Sequence, residues 1–183
     1  MKPQMQVSAE TKGLAMAPIQ EATTEAQLSD VRNLMRAFVA WHRARHVEDL
    51  ALIERYFDQA AFDAELAALP GAYAPPAGRL LIAYKDGRPA GCVALHDLGQ
   101  GICEMKRMFV PVRFRGLGIG RALAEALLDQ ARSIGYRRMR LDTSKRQAEA
   151  IRLYESLGFG RIEPYHPLPA EFRGWLLFFE AAL

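Results

Sequence analysis

Between Phe109 and Leu123 the chain reads Phe-Val-Pro-Val-Arg-Phe-Arg-Gly-Leu-Gly-Ile-Gly-Arg-Ala-Leu. Glycines at 116, 118 and 120 let backbone approach a ligand with no Cβ in the way. The run falls between a predicted strand and a predicted helix, so the helix offers its unpaired N–H groups to the loop. Such a terminus attracts anions through those donors and through the helix dipole. Arg115 and Arg121 add charge suited to phosphate oxygens. The chemistry this combination points to is the gripping of a phosphate-rich ligand. It is not a Walker A loop, because no Gly-Lys-Ser/Thr follows. A dinucleotide fingerprint would need its third glycine one residue later.

Charge supports an anionic ligand without naming it. The net charge is +3, but from Glu104 to Arg161 there are 13 Lys/Arg against 6 Asp/Glu, and elsewhere 11 against 15. A basic block attracts polyanions, whether nucleic acid or a phosphate-bearing small molecule. The arginines at 132, 137, 138, 140 and 146 and Lys145 lack interleaved aromatics and any nucleic-acid motif, so nucleic acid is not expected as a partner. Cys92 and Cys103 fall in predicted strands, where two small buried hydrophobes are expected rather than a disulfide. Cys103 as a nucleophile has no obvious base partner. His42 and His46 share a helix face at i, i+4, but no third ligand accompanies them, so solvated histidines at a helix end are expected and no metal site.

The elements that must position this loop follow from periodicity and punctuation. The 183 residues, half of them hydrophobic, suit one domain with a sizeable core. Residues 1–17 show no period and read as a flexible tail, leaving 18–183 as the domain. A short strand is expected near Pro18–Ala22. Thr23 and Thr24 are N-cap residues for a long amphipathic helix ending near His46. A second helical stretch runs from Val47 to Leu69, broken near Asp58, and Pro70-Gly71 stops it. Three strands follow, Arg79–Tyr84, Ala90–His96 and Ile102–Val110, joined at Asp86-Gly87 and Gly99-Gln100-Gly101. Then come a helix over Ile119–Ile134 closed by Gly135, a strand over Arg138–Asp142, a helix over Gln147–Leu157 ended by Gly158, and two last strands. This is a mixed α/β domain around one sheet. No apolar run spans a bilayer and the N-terminus lacks a secretory core, so a cytoplasmic protein without a membrane partner is expected.

Arg115, Gly118 and Gly120 form an Arg-x-x-Gly-x-Gly pattern that resembles the coenzyme A signature of the GNAT superfamily of N-acetyltransferases. Ala150-Ile151-Arg152-Leu153-Tyr154-Glu155-Ser156-Leu157-Gly158-Phe159 resembles the family's second signature, and the order of elements agrees from about Pro18 to the end. The resemblance implies the acyl-CoA N-acyltransferase fold, a single mixed and mostly antiparallel sheet flanked by helices. It implies acetyl-CoA as co-substrate, its pyrophosphate held from Arg115 through Gly116, Leu117, Gly118, Ile119 and Gly120 to Arg121. Met108, Phe109 and Val110 would pair with the pantetheine arm and acetyl carbonyl, with a backbone N–H there as oxyanion donor. Gln147 stands where members often carry a cofactor-contacting Asn, a longer arm with the same amide. Tyr154 aligns with the residue that protonates the departing thiolate, and a phenol at ~10 can donate to a thiolate near ~8.5.

The resemblance further implies direct attack by an amine in a ternary complex. Glu104 and Asp142 both match family positions for a base, with Glu104 slightly preferred. The acceptor, a small-molecule, amino-acid or peptide amine, would meet the N-terminal helices and the loop after Phe159. Trp41, His42, His46, Tyr56, Tyr73, Tyr165 and His166 are candidates there, while Glu48, Asp49 and Glu54 read as a solvated acidic face. Exposed sheet edges suit a homodimer. The competing function is a non-catalytic acyl-CoA sensor with the same pocket, against which Tyr154 and the carboxylates argue.

Overall fold

In the computed structural model, which describes residues 18–183, Thr24 opens the first long element with a capping box. Its hydroxyl accepts from the Gln27 N–H at 3.3 Å, and the Gln27 side chain returns a bond to the Thr24 N–H at 3.0 Å. The helix, α1 (Glu25–Arg45), buries Leu28, Val31, Leu34, Met35 and Val39 on one face. The expected second helical stretch is divided into α2 (Leu50–Tyr56) and α3 (Gln59–Ala68), with Asp58 as the N-cap of α3. The tail expected over 1–17 lies outside the described residues.

Seven strands form one sheet: β1 (Ile19–Glu21), β2 (Arg79–Lys85), β3 (Arg88–Gly99), β4 (Ile102–Phe109), β5 (Arg138–Ser144), β6 (Gly160–Ile162) and β7 (Leu176–Ala182). Their spatial order is β1-β2-β3-β4-β5-β7-β6, and every neighbouring pair is antiparallel except β4 and β5. The mixed, mostly antiparallel sheet flanked by helices is therefore observed. Asp86 and Gly87 make the β2–β3 turn with φ of 50° and 71°, the left-handed pair that such a hairpin requires.

Alternating residues serve two cores. Leu81, Ala83, Val93 and Leu95 pack under α4 (Ile119–Ile134) and α5 (Ala148–Ser156). Leu80, Ile82, Cys92 and Ala94 face α1, α2 and α3 on the other side. Period-two alternation along β2 and β3 thus builds both layers.

Two irregularities in β4 open the sheet. β4 and β5 pair only over Ile102–Glu104 and Arg138–Arg140, although both strands run on. Beyond Glu104 the two parallel strands diverge. In the same stretch β3 pairs Ala94 with Lys106 but Cys92 with Phe109, so two residues of β4 stand opposite one of β3. This bulge places Arg107 at φ 55°. It also reverses the strand's faces: Cys103 and Met105 lie in the α4 core, whereas Phe109 lies in the α1 core.

Candidate active site

The loop from Arg115 to Gly118 leads into α4, and Gly118 is its N-cap at φ 76° with no side-chain cap. The first N–H groups of α4 have no intrahelical acceptor and face outward. Gly116 is also left-handed, at φ 77°, and a Cβ at either position would meet nothing within 4 Å. Glycine is needed at these two positions for backbone conformation rather than for space. Gly120 differs: its φ is ordinary, and a Cβ there would come 3.5 Å from Met108 Cε.

These residues border an open cavity of about 340 Å³, lined by Met108, Phe109, Val110, Arg115, Gly116, Gly118, Ile119, Gly120, Arg121, Gln147 and Tyr154 among others. Every expected cofactor contact borders it except Leu117, which is 38% exposed. Arg115 is partly committed: its Nε donates to the Val110 carbonyl at 3.1 Å, and its guanidinium lies 4.2 Å over the Trp41 ring. Arg121 reaches Ser156 Oγ at 2.7 Å and Glu125 at 3.3 Å, tying α4 to α5.

A second, more enclosed cavity of about 80 Å³ adjoins the first. Phe38, Met108, Gln147, Ala150 and Tyr154 border both. Its far walls come from His42 of α1, Tyr56 and Phe57 at the end of α2, Lys106 and Arg107 of β4, Asp142 of β5, and Trp175. Tyr154 is 7% exposed, and the one contact of its hydroxyl among the described residues is a long 3.9 Å approach to Met108 Sδ. Burial, and secondly the charge of Asp142, raise its pKa, so the phenol is fully protonated at neutral pH.

The two expected carboxylates fall in different places. Asp142 borders the enclosed cavity with Tyr154. Its Oδ2 accepts from Tyr56 Oη at 2.6 Å, and Lys106 Nζ lies 3.7 Å from Oδ1. Glu104 lies in a separate cleft with Gln100, Lys106, Arg140, Tyr165 and His166. It bonds His96 Nε2 at 2.5 Å and Tyr165 Oη, and sits 3.3 Å from Lys106 Nζ. Burial opposes its charge, but His96, Lys106 and Tyr165 outweigh that and hold its carboxyl at about 2. A carboxylate so occupied is a weak proton acceptor.

The remaining acceptor-side candidates also divide. Trp41 borders the open cavity, and His42 and Tyr56 the enclosed one. Tyr73 instead donates to Glu65 at 2.6 Å, and Tyr165 and His166 belong to the Glu104 cleft. Asp49 holds Arg146 and the Trp175 indole N–H at 2.9 and 3.0 Å. The histidines are not solvated: His42 and His46 are 3% and 6% exposed, their rings 5.1 Å apart. His42 Nδ1 and His46 Nε2 are buried with no partner among the described residues. Desolvation, then His46, bring His42 down to about 4, so it is neutral. Cys92 and Cys103 are free and buried, with thiols pushed up to about 12 by desolvation, which removes Cys103 as a nucleophile. Among the described residues no cluster of three or more metal-ligating side chains occurs, and no helix is long and apolar enough to cross a membrane.

Sequence reasoning did not find Lys106, Arg107 or Trp175. The bulge that turns the first two into one cavity leaves no signature in a single sequence.

Comparison with known proteins identifies the family and the fold. The model of the acetyltransferase (GNAT) family matches residues 41–159. An uncharacterised N-acetyltransferase of Schizosaccharomyces pombe is 42% identical over 111 residues, covering 58% of this chain and 68% of that protein. Across eight curated relatives the matched segment spans between 29% and 68% of their lengths. An acetyltransferase from Streptococcus agalactiae superposes with a TM-score of 0.70 at 20% identity, over 92% of this chain and 99% of that one. The PaiA N-acetyltransferase of Thermoplasma acidophilum, solved with coenzyme A, gives 0.67 at 15% identity, over 91% and 99%. The family match covers both the glycine loop and the Tyr154 helix. The chain belongs to the acetyltransferase (GNAT) family.

Proposed function

We propose that the protein transfers the acetyl group of acetyl-CoA to an amine by direct attack in a ternary complex. The observation that carries this reading is the meeting of two cavities on Tyr154 and Met108. The open one has an uncapped helix N-terminus for the pyrophosphate, with Arg121 beside it. The enclosed one admits an acceptor from the opposite side of the sheet. The divergence of β4 from β5 leaves backbone groups of Met108, Phe109 and Val110 free of strand pairing with β5. These groups hold the pantetheine arm, and one N–H there faces the carbonyl oxygen as negative charge develops.

The acceptor nitrogen forms a bond to the thioester carbon, and the carbon–sulfur bond breaks. Tyr154 donates its proton to the departing sulfur. Asp142 takes the proton released by the nitrogen, since it borders the same cavity and Glu104 does not. Glu104 instead holds Lys106, Tyr165 and His96 in place. Gln147, bordering both cavities, extends its amide toward the cofactor arm.

Two measurements test this reading. Calorimetric titration should show acetyl-CoA binding, and thiol release should appear with a panel of amines. Tyr154→Phe should lower thiol release about 100-fold or more while leaving acetyl-CoA affinity nearly unchanged. Unchanged turnover removes Tyr154 from the chemistry. Binding of acetyl-CoA without thiol release across the panel would favour a non-catalytic acyl-CoA sensor.

A further inference from the structure

We infer that the enclosed cavity selects an acceptor carrying a carboxylate close to its amine, an α-amino acid or a molecule of the same pattern. The inference rests on the acetyl-transfer reading and concerns the end of the acceptor away from Tyr154.

Its basis is the bulge in β4. In a regular strand, consecutive residues point to opposite faces. Here Lys106 and Arg107 are consecutive, yet both border the acceptor cavity together with Met108. The register shift and the left-handed Arg107 produce this. A left-handed conformation at a long-chain residue is uncommon and is retained only where surrounding structure imposes it.

Arg107 is held rigidly. Its Nε and Nη2 bind the two oxygens of Glu65 in α3, and Tyr73 donates to the same carboxylate. Its guanidinium packs 5.4 and 5.6 Å from the Phe57 and Phe62 rings. Nη1 has no partner among the described residues. Burial opposes the Arg107 charge, but the Glu65 bonds raise its pKa, so it is a permanent cation. Lys106 is more loosely placed, 3.3 Å from Glu104 and 3.7 Å from Asp142, and Glu104 is already occupied by His96 and Tyr165. Arg107, with Nη1 unengaged among the described residues, and Lys106 therefore line the cavity as two adjacent cations, the charge that a carboxylate requires.

The other groups complete a zwitterion site. Asp142 faces the amine, near Tyr154. Phe38, Phe57 and Trp175 form apolar walls for a side chain. A simple monoamine would satisfy Asp142 and the walls but bring nothing to Arg107 Nη1, whereas a carboxylate would add a charge-assisted bond there.

The test compares amino acids with their own decarboxylated amines, in the full chain with acetyl-CoA: alanine with ethylamine, phenylalanine with phenethylamine, histidine with histamine. In at least one pair the amino acid should show a kcat/KM about 100-fold above its amine. Lys106→Met should lower the amino-acid kcat/KM about 10-fold or more, mainly through KM, and narrow the gap within the pair. Acetyl-CoA affinity, measured by calorimetry, reports whether the variant is folded. Amines turned over as well as or better than the amino acids in every pair overturn the carboxylate site and leave acetyl transfer standing. Thiol release with none of the six also overturns it, and thiol release with the wider amine panel then decides whether acetyl transfer stands.

Discussion

Among the described residues the Tyr154 hydroxyl meets only a long approach to Met108 Sδ, so little competes for its proton. The segment around it was legible because Tyr, the flanking Leu and Gly158-Phe159 form a contiguous pattern. His42 was misread for the opposite reason. Its position on α1 was correct, but its burial depends on Phe57 and Trp175, which lie far away in the chain. The consequence is a pH dependence. His42 ionises at about 4 in the folded protein and near ~6.5 when unfolded, so between those values the unfolded chain binds more protons. Stability is then complete above about pH 6.5 and declines as pH falls toward 4. His46, lowered first by burial and then by Arg45, acts in the same direction, while Asp49 opposes both. The melting temperature should therefore drop between pH 7 and pH 5. In His42→Phe, which fills the same aromatic cluster, the drop should be visibly smaller. An identical pH dependence in the variant would show that His42 is not the group responsible.

The glycine loop and α4 work as one unit, and their glycines make two separable demands. Gly118 is required by φ 76°, where any other residue is strained by about 1–2 kcal/mol, although a Cβ would touch nothing. Gly120 has ordinary backbone but borders the open cavity. Gly118→Ala should accordingly lower stability by about 1–2 kcal/mol in urea denaturation and also weaken acetyl-CoA binding, because the cap sets the direction of the N–H groups. Gly120→Ala should weaken acetyl-CoA binding with little loss of stability. Equal stability losses in the two variants would contradict this division. The α4 boundaries were readable from the chain because a left-handed glycine at each end, Gly118 and Gly135, is local punctuation. The bulge in β4 was not, since Met105-Lys106-Arg107-Met108 has no glycine or proline to mark it. Only the pairing of Cys92 with Phe109 and of Ala94 with Lys106 reveals it.

The two layers of helices pack on opposite faces of the sheet, and an ion pair ties one of them to β4. Glu65 of α3 grips Arg107 of β4, with side chains 22% and 15% exposed. Removing one partner of such a buried pair strands the other charge. Glu65→Ala should cost about 3 kcal/mol, the low end for a buried pair given this residual exposure, measured by chemical denaturation. A loss under about 1 kcal/mol would mean that Arg107 finds water instead. Local chain chemistry determined the order of elements, the caps at Thr24 and Gly135, the break near Asp58, the alternation along β2 and β3, and the family-defining loop and Tyr154 segment. Each of these depends on neighbours within a few residues, so a linear reading suffices. Which carboxylate faces Tyr154, that His42 is buried and neutral, and that Lys106 and Arg107 share one cavity were decided only by tertiary structure. Those outcomes depend on strand register and on contacts between residues 42 and 133 positions apart, as in Glu65 with Arg107 and His42 with Trp175.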